Sequence, residues 1–178
     1  MSSWPVSKRL NPRLMKLRAT HPHLFQHPLR GLLPDEMSRI MIADAVESAP
    51  KEACGLVLYD QAGRPTRIYR TNNIHPDESR FEVDPVQHFR IINEADLAGQ
   101  RIGALYHSHP HGPPRPSPID LAIDWDPEWV HYLIGRTLTG KWAIRAYSIR
   151  DGRATRLDRG RRRGSAPMTR LSVDNRPR

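Results

Sequence analysis

Apolar positions along this chain fall into short runs separated by turn residues, and their spacing changes from run to run. After Pro34, Met37, Ile40, Met41, Ala45 and Val46 recur near the helical period until Pro50 ends the run, which predicts a helix. Cys54–Tyr59 (CGLVLY) is a continuous apolar run between turn residues and reads as a buried strand. Residues 67–70 are expected to form a second strand and residues 81–83 a short third. Pro85 then opens a helix carrying Val86, Phe89, Ile92 and Leu97, ending near Gly99. Residues 102–107 (IGALYH) form another expected strand, followed by a loop with five prolines among residues 110–118 and a short helix over 118–124. The last expected strands are 130–134, 142–149 and 154–157, with residues 135–140 and Asp151-Gly152 as turn signals. Helices alternating with strands and closing in a hairpin meander predict an α/β domain: a central mixed β-sheet flanked by helices. No internal repeat is visible.

Composition changes this picture mainly at the ends. The 178 residues suit one domain of ordinary size with tails, and the 38% apolar content is low for a chain packed along its whole length. Residues 1–33 hold six Lys/Arg and no acidic residue, and residues 158–178 hold seven Arg against two Asp. Between them lie 15 basic and 17 acidic residues, so the net charge of +9 belongs to the ends. The expected division is a basic, Pro/His-rich extension over 1–33, a catalytic domain over 34–157, and a basic, unstructured tail over 158–178. Nucleic acid becomes a candidate partner only through those arms. Cys54 is the single cysteine, which excludes an internal disulfide and a Cys-rich zinc finger and fits a reducing, cytoplasmic setting. No signal-peptide run and no window approaching a membrane span of ~20 apolar residues is present, so a soluble protein is expected.

The candidate chemistry sits at the end of the IGALY strand. His107 and His109 are two residues apart, so on a strand both imidazoles point to one face and can meet one ion. Asp120 follows across the Pro-rich loop, near a helix start. Two His and one carboxylate give zinc three protein ligands and leave the fourth position for water, the catalytic rather than structural arrangement. Glu52, at the head of the CGLVLY strand, is the candidate for moving that water's proton.

Together these residues form the pattern E…HSHP-x6-S-x-x-D, from Glu52 through His107-Ser108-His109-Pro110 and Ser117 to Asp120. This resembles the JAMM metallopeptidases, the catalytically active members of the MPN/JAB domain family. Glu52-Ala53-Cys54-Gly55-Leu56 is similar to the E-x-C-G-L opening of their short prokaryotic members. The resemblance spans about residues 34–157 and leaves out both tails. It implies a cytidine-deaminase-like three-layer fold, with one catalytic Zn2+ held by His107, His109 and Asp120. It implies Glu52 as general base and then acid, and Ser117 as hydrogen-bond donor to the tetrahedral oxyanion. The implied reaction is hydrolysis of the peptide or isopeptide bond after the C-terminal Gly-Gly of a ubiquitin-like or sulfur-carrier protein. The rival readings are a nucleic-acid-associated JAB protein of the RadC kind, whose basic tails would grip phosphate, and a zinc-binding scaffold without activity.

Each residue also has a plainer reading. Ser117-Pro118-Ile119-Asp120 is a good helix start, with Ser at N-cap and Pro at N1, and capping can coexist with metal binding. A lone His-x-His pair is more often a surface feature, and Glu52 alone would be a surface carboxylate. His111 reads as a loop residue at the rim, Cys54 as a small buried apolar residue, and Trp125, Trp129 and Trp142 as packing residues.

Overall fold

The computed structural model describes residues 33–158 together with the backbone of residues 172–174. The first element, α1 (Asp35–Ser48), begins directly after Pro34, carries Asp35 and Glu36 in its first turn, and buries Met37, Met41, Asp44 and Ala45. Acidic residues there complement the helix dipole. The strands are β1 (Cys54–Tyr59), β2 (Pro65–Thr71), β3 (Arg101–His109), β4 (Val130–Arg136), β5 (Trp142–Arg150), β6 (Arg153–Arg156) and β7 (Ser172–Asp174); helix α2 (Pro85–Leu97) precedes β3 and α3 (Pro118–Ala122) precedes β4.

The strands form one sheet in the order β6-β5-β4-β3-β1-β2-β7. Pairs β1/β2, β1/β3, β4/β5 and β5/β6 are antiparallel, while β3/β4 and β2/β7 are parallel, so the sheet is mixed as expected. The parallel β3/β4 pair matters most for function. Parallel neighbours require a long crossover, and here that crossover is the Pro-rich loop with α3, which returns across the end of β3 and carries Ser117 and Asp120.

Each face of the sheet has its own core. On one, Met37, Met41 and Ala45 of α1 pack on Val57, Tyr59, Ile68, Ala104, Tyr106, Tyr132 and Ile134. On the other, Ile91 and Ala95 of α2 join Trp125 over Leu56, Leu58, Tyr69, Leu105 and Ile149. This is the expected three-layer α/β arrangement. Gly55 is required where the central strands meet: a Cβ there would lie 2.2 Å from the Tyr69 carbonyl oxygen and 2.3 Å from the Tyr106 ring. At the β5/β6 turn, Asp151 and Gly152 have φ of 48° and 70°, the left-handed pair that a tight hairpin needs.

Three expectations need correcting. Residues 81–83 form no strand; the segment makes only an isolated bridge between Asn73 and Val83. The Asn73 side chain takes the place of a ladder, with Oδ1 accepting from the amides of His75 and Glu82 and Nδ2 donating to the carbonyls of Glu52 and Arg80. Helix α2 exists as expected but turns Ile91 and Ala95 inward, leaving Val86, Phe89 and Leu97 exposed. It lies at the margin of the core, and two residues one turn apart suffice for its contact with the sheet. Val46 of α1 is likewise exposed. Of the expected 1–33 extension, Leu33 is buried in the core on the α1 side and residues 1–32 lie outside the described residues; of the expected 158–178 tail, the backbone of Ser172–Asp174 pairs along the edge of β2. Among the described residues, no helix is long and apolar enough to cross a membrane.

Candidate metal centre

The site forms where β1 begins and β3 ends. Antiparallel register pairs Cys54 with His107, and the pairing runs on past β1, because Ser108 N donates to the Ala53 carbonyl at 3.0 Å. Ser108 points away from the two histidines, and its Oγ accepts the Ala53 amide at 2.8 Å. That pair of bonds fixes Glu52 opposite His109. The short motif thus contributes two imidazoles from one face of the strand and, from the other, the hydroxyl that holds the glutamate's strand in place.

Four side chains converge here. The two Nε2 atoms of His107 and His109 are 3.1 Å apart. Asp120 reaches them with Oδ1 at 3.2 Å from His107 Nε2 and Oδ2 at 3.4 Å from His109 Nε2. Glu52 Oε1 lies 3.9 Å from His109 Nε2, and ligand atoms of Glu52, His107 and His109 all fall within 4.8 Å of one another. Zinc bonds of about 2.0–2.1 Å in tetrahedral array place neighbouring donors about 3.3–3.4 Å apart. The 3.1 Å between the two imidazoles is near that edge length, Asp120 meets the two rings through different oxygens, and a donor set of two imidazoles and a carboxylate is of the kind that suits zinc.

The two carboxylates differ in character. Burial alone would raise Asp120, but hydrogen bonds with His107 and His109, and the Ser117 amide at 2.6 Å from Oδ2, hold it well below the usual carboxylate range. Among the described residues Glu52 has no such hydrogen bond, and burial raises it to about 7, with His109 opposing and the charges of Asp120 and Asp77 adding to the effect. Environments that push two carboxyls apart in this way separate a permanent anion from a group able to carry a proton near neutrality. Burial lowers His107 despite Asp120, whereas His109, less buried and between two carboxylates, is raised.

Surrounding groups fix the angles of the two imidazoles and of Asp120. His109 Nδ1 lies 3.2 Å from the Pro113 carbonyl. Phe81 stacks on the His107 ring with centroids 4.3 Å apart, and Trp125 stacks on Phe81 in turn. Trp125 also donates its Nε1 hydrogen to the Asp120 carbonyl at 2.7 Å, so packing and the position of Asp120 are joined. Ser117 caps α3 in a capping box: its Oγ accepts the Asp120 amide while the Asp120 carboxylate accepts the Ser117 amide. This leaves the hydroxyl hydrogen of Ser117 available to another acceptor. His111 is exposed at the loop, and Cys54 is buried against Thr71.

Four residues around the site were not singled out in the sequence. Phe81 and Asn73 lie in a stretch that reads as strand and turn. Ser108 is inside the motif, and alternation along β3 is the signal for its opposite face. His131 is a fully buried histidine on β4 beside Leu105, with neither ring nitrogen hydrogen-bonded among the described residues; nothing in the VHYLIG run marks it apart from a core position.

Comparison with known proteins shows the family and the fold. The family described as prokaryotic homologues of the JAB domain matches residues 34–150. The chain belongs to the prokaryotic JAB family. Among curated proteins, it is 31% identical over 132 residues to the "Probable TtuB-protein conjugate cleaving protease" of Thermus thermophilus, covering 72% of this chain and 78% of that one. It is 28% identical over 103 residues to a protein named desampylase from Haloferax volcanii, covering 55% of this chain and 74% of the relative. Among solved structures, a Desulfitobacterium hafniense protein superposes with a TM-score of 0.63 at 22% identity, covering 81% of this chain and 92% of its own. A Salinibacter ruber protein gives 0.54 at 25%, covering 76% and 93%. The JAB resemblance read from the motif and the mixed α/β sheet are both borne out.

Proposed function

We propose that this JAB-family chain is a JAMM-type zinc isopeptidase that cuts after the C-terminal Gly-Gly of a ubiquitin-like or sulfur-carrier protein. Relatives named as a protein-conjugate cleaving protease and as desampylases support hydrolysis of protein conjugates as the broader activity. The observation that carries the finer reading is the convergence of His107, His109 and Asp120, each within 3.4 Å of the others, with the Glu52 carboxylate 3.9 Å from His109. These three residues would hold the ion, which when bound supplies Lewis acidity to a scissile carbonyl and to the attacking water.

Glu52 takes a proton from the attacking water and returns it to the departing amine. Its place beside His109, at the edge of the His107–His109–Asp120 cluster, suits it to both transfers. Ser117 directs its free hydroxyl hydrogen at the oxygen on which negative charge develops. Phe81, Arg80 and Ser79 form one wall of a cleft of about 200 Å3, and Ile119 and Ile123 flank Ser117 and Asp120 on the other. A space this small suits an extended segment without side chains, which is the chemistry of Gly-Gly.

The test uses a ubiquitin-like protein joined through Gly-Gly to a cargo, with product masses read by mass spectrometry. The expected result is a product ending in Gly-Gly, lost on chelation and restored by zinc. No cleavage, together with a salt-dependent DNA shift that disappears when the tails are deleted, would favour the nucleic-acid reading instead.

A further inference from the structure

A second cavity, of about 460 Å3, opens on the far side of the loop that orients His109. Its walls are His111–Pro114 of that loop, the β4–β5 hairpin with Leu138 at its tip, and the side chains of Arg136, Arg145 and Arg156. The loop is pinned from beneath: Arg136 N donates to the Gly112 carbonyl at 2.7 Å and the Tyr147 hydroxyl to the Pro114 carbonyl at 3.0 Å. Pro113 is shared between the two sites, lining the cavity while its carbonyl contacts His109.

The charge of this region is opposite to that of the rest of the described domain. Residues 130–157 hold six Lys/Arg and one Asp, whereas residues 34–129 hold nine Lys/Arg and sixteen Asp/Glu. The cluster already holds one carboxylate, and that shows its preference. Asp158 is gripped by Arg156 through two bonds of 2.6 and 3.1 Å, with Arg145 at 3.8 Å. A two-pronged grip of this kind matches guanidinium to carboxylate. Three guanidiniums against one carboxylate leave a surplus of positive charge. Arg136 has no acidic partner among the described residues; it is held over the Trp142 ring at 4.1 Å and so is presented without much freedom to lose. Leu138 is fully exposed beside them, and an apolar side chain next to arginines is a common composition for a protein contact.

We propose that this cavity is a docking subsite for an acidic segment of the protein conjugate, taking Asp or Glu side chains against Arg136 and Arg145 with Leu138 as the apolar rim contact. Nucleic acid is the less fitting occupant: the three arginines converge on one open cavity and do not form a track of cations along a surface. The proposal rests on the isopeptidase reading for its kinetic consequence, but not for binding itself.

The experiment therefore has two arms, both with the full chain. In the first, fluorescence anisotropy follows a labelled hexaglutamate peptide and, separately, a labelled single-stranded oligonucleotide. The expected result is peptide binding that weakens by about tenfold in the Arg136→Gln/Arg145→Gln double variant. Leu138→Asp, at a fully exposed position that cannot disturb the fold, weakens it in the same direction. In the second arm, zinc-loaded protein cleaves Gly-Gly fusions whose next three residues are acidic or are their amide counterparts. The acidic fusion shows the lower KM with wild type, and the preference disappears in both variants while kcat is held. Peptide binding indifferent to both variants overturns the proposal, as does an oligonucleotide that displaces the peptide and loses affinity with it. If neither fusion is cut, the isopeptidase reading fails, and the anisotropy arm still decides the subsite.

Discussion

Adding one methyl group at Gly135 should damage the site without touching any ligand. A Cβ there would lie 2.6 Å from Gly112 O, Pro113 C and Pro114 N, where such atoms ordinarily approach no closer than about 3.5 Å. The gap must open by close to ~1 Å, and the obstructing atoms are backbone, which cannot rotate away. Overpacking of this kind costs about 1–3 kcal/mol. The chemical effect follows from what those atoms do. Gly112 O accepts the Arg136 amide and Pro113 O contacts His109 Nδ1, so moving the loop tilts the His109 ring, a proposed metal ligand. A misplacement near 1 Å can cost about 100-fold in rate. The assay is kcat/KM on a Gly-Gly fusion, with thermal melting and zinc affinity measured in parallel. Gly112→Ala is the control, because a Cβ at Gly112 meets nothing closer than the His109 Cβ at 3.4 Å. A Gly135→Ala protein that melts, binds zinc and cleaves like wild type, or a Gly112→Ala protein that fails equally, would refute the reasoning.

Other outcomes follow from the same contacts. Burial pushes His131 down to about 4 from an ordinary 6.5, with the His107 charge adding and Asp120 opposing. The unfolded chain then takes up a proton that the folded state refuses, so this group costs stability as pH falls from about 6.5 toward 4. Relative to wild type, metal-free His131→Leu should gain about 2 kcal/mol between pH 7 and pH 5, read by chemical denaturation; parallel stability curves would exclude this. Ser108→Ala strips the buried Ala53 amide of its acceptor, at a cost of about 1–3 kcal/mol, and should lower kcat by loosening Glu52, whereas Ser108→Thr should retain both. Tyr106→Phe removes a 2.8 Å hydrogen bond to the buried Asp44 on the opposite face of the sheet, so it should lower stability by a similar ~1–3 kcal/mol and leave kcat unchanged. Asn73→Ala should raise KM more than it lowers zinc content, because Asn73 holds the loop carrying Arg80 and Phe81 along the cleft wall.

How far the sequence reached depends on what kind of interaction made each element. Cys54–Tyr59 was legible because six consecutive apolar residues have one use, a strand covered on both faces. The order of helices and strands from α1 to β6 followed from similar runs and from Pro and Gly punctuation. The segment around Phe81 was misread because its backbone is satisfied by one distant amide, Asn73, and side-chain bonds of that kind leave no periodic trace. The inward face of α2 was misread because Ile91 and Ala95 were chosen by where the helix docks, not by which of its residues are most apolar. The convergence of His107, His109, Asp120 and Glu52 was visible as spacing. Which carboxyl is held as an anion and which rises was not, since that depends on the Ser117 amide and on burial. The basic cavity was invisible as well: its three arginines come from three strands and stand out only once β4, β5 and β6 are side by side.

The central claim is that His107, His109 and Asp120 hold the ion while Glu52 moves the proton. The most direct measurement sets zinc content beside single-turnover cleavage of a Gly-Gly fusion, for wild type and Glu52→Gln under the same conditions. One zinc per chain is expected in both proteins and cleavage only in wild type, with a rate loss of at least about 100-fold in the variant. Cleavage that survives Glu52→Gln with zinc in place, or zinc that leaves with the glutamate's charge, would contradict it.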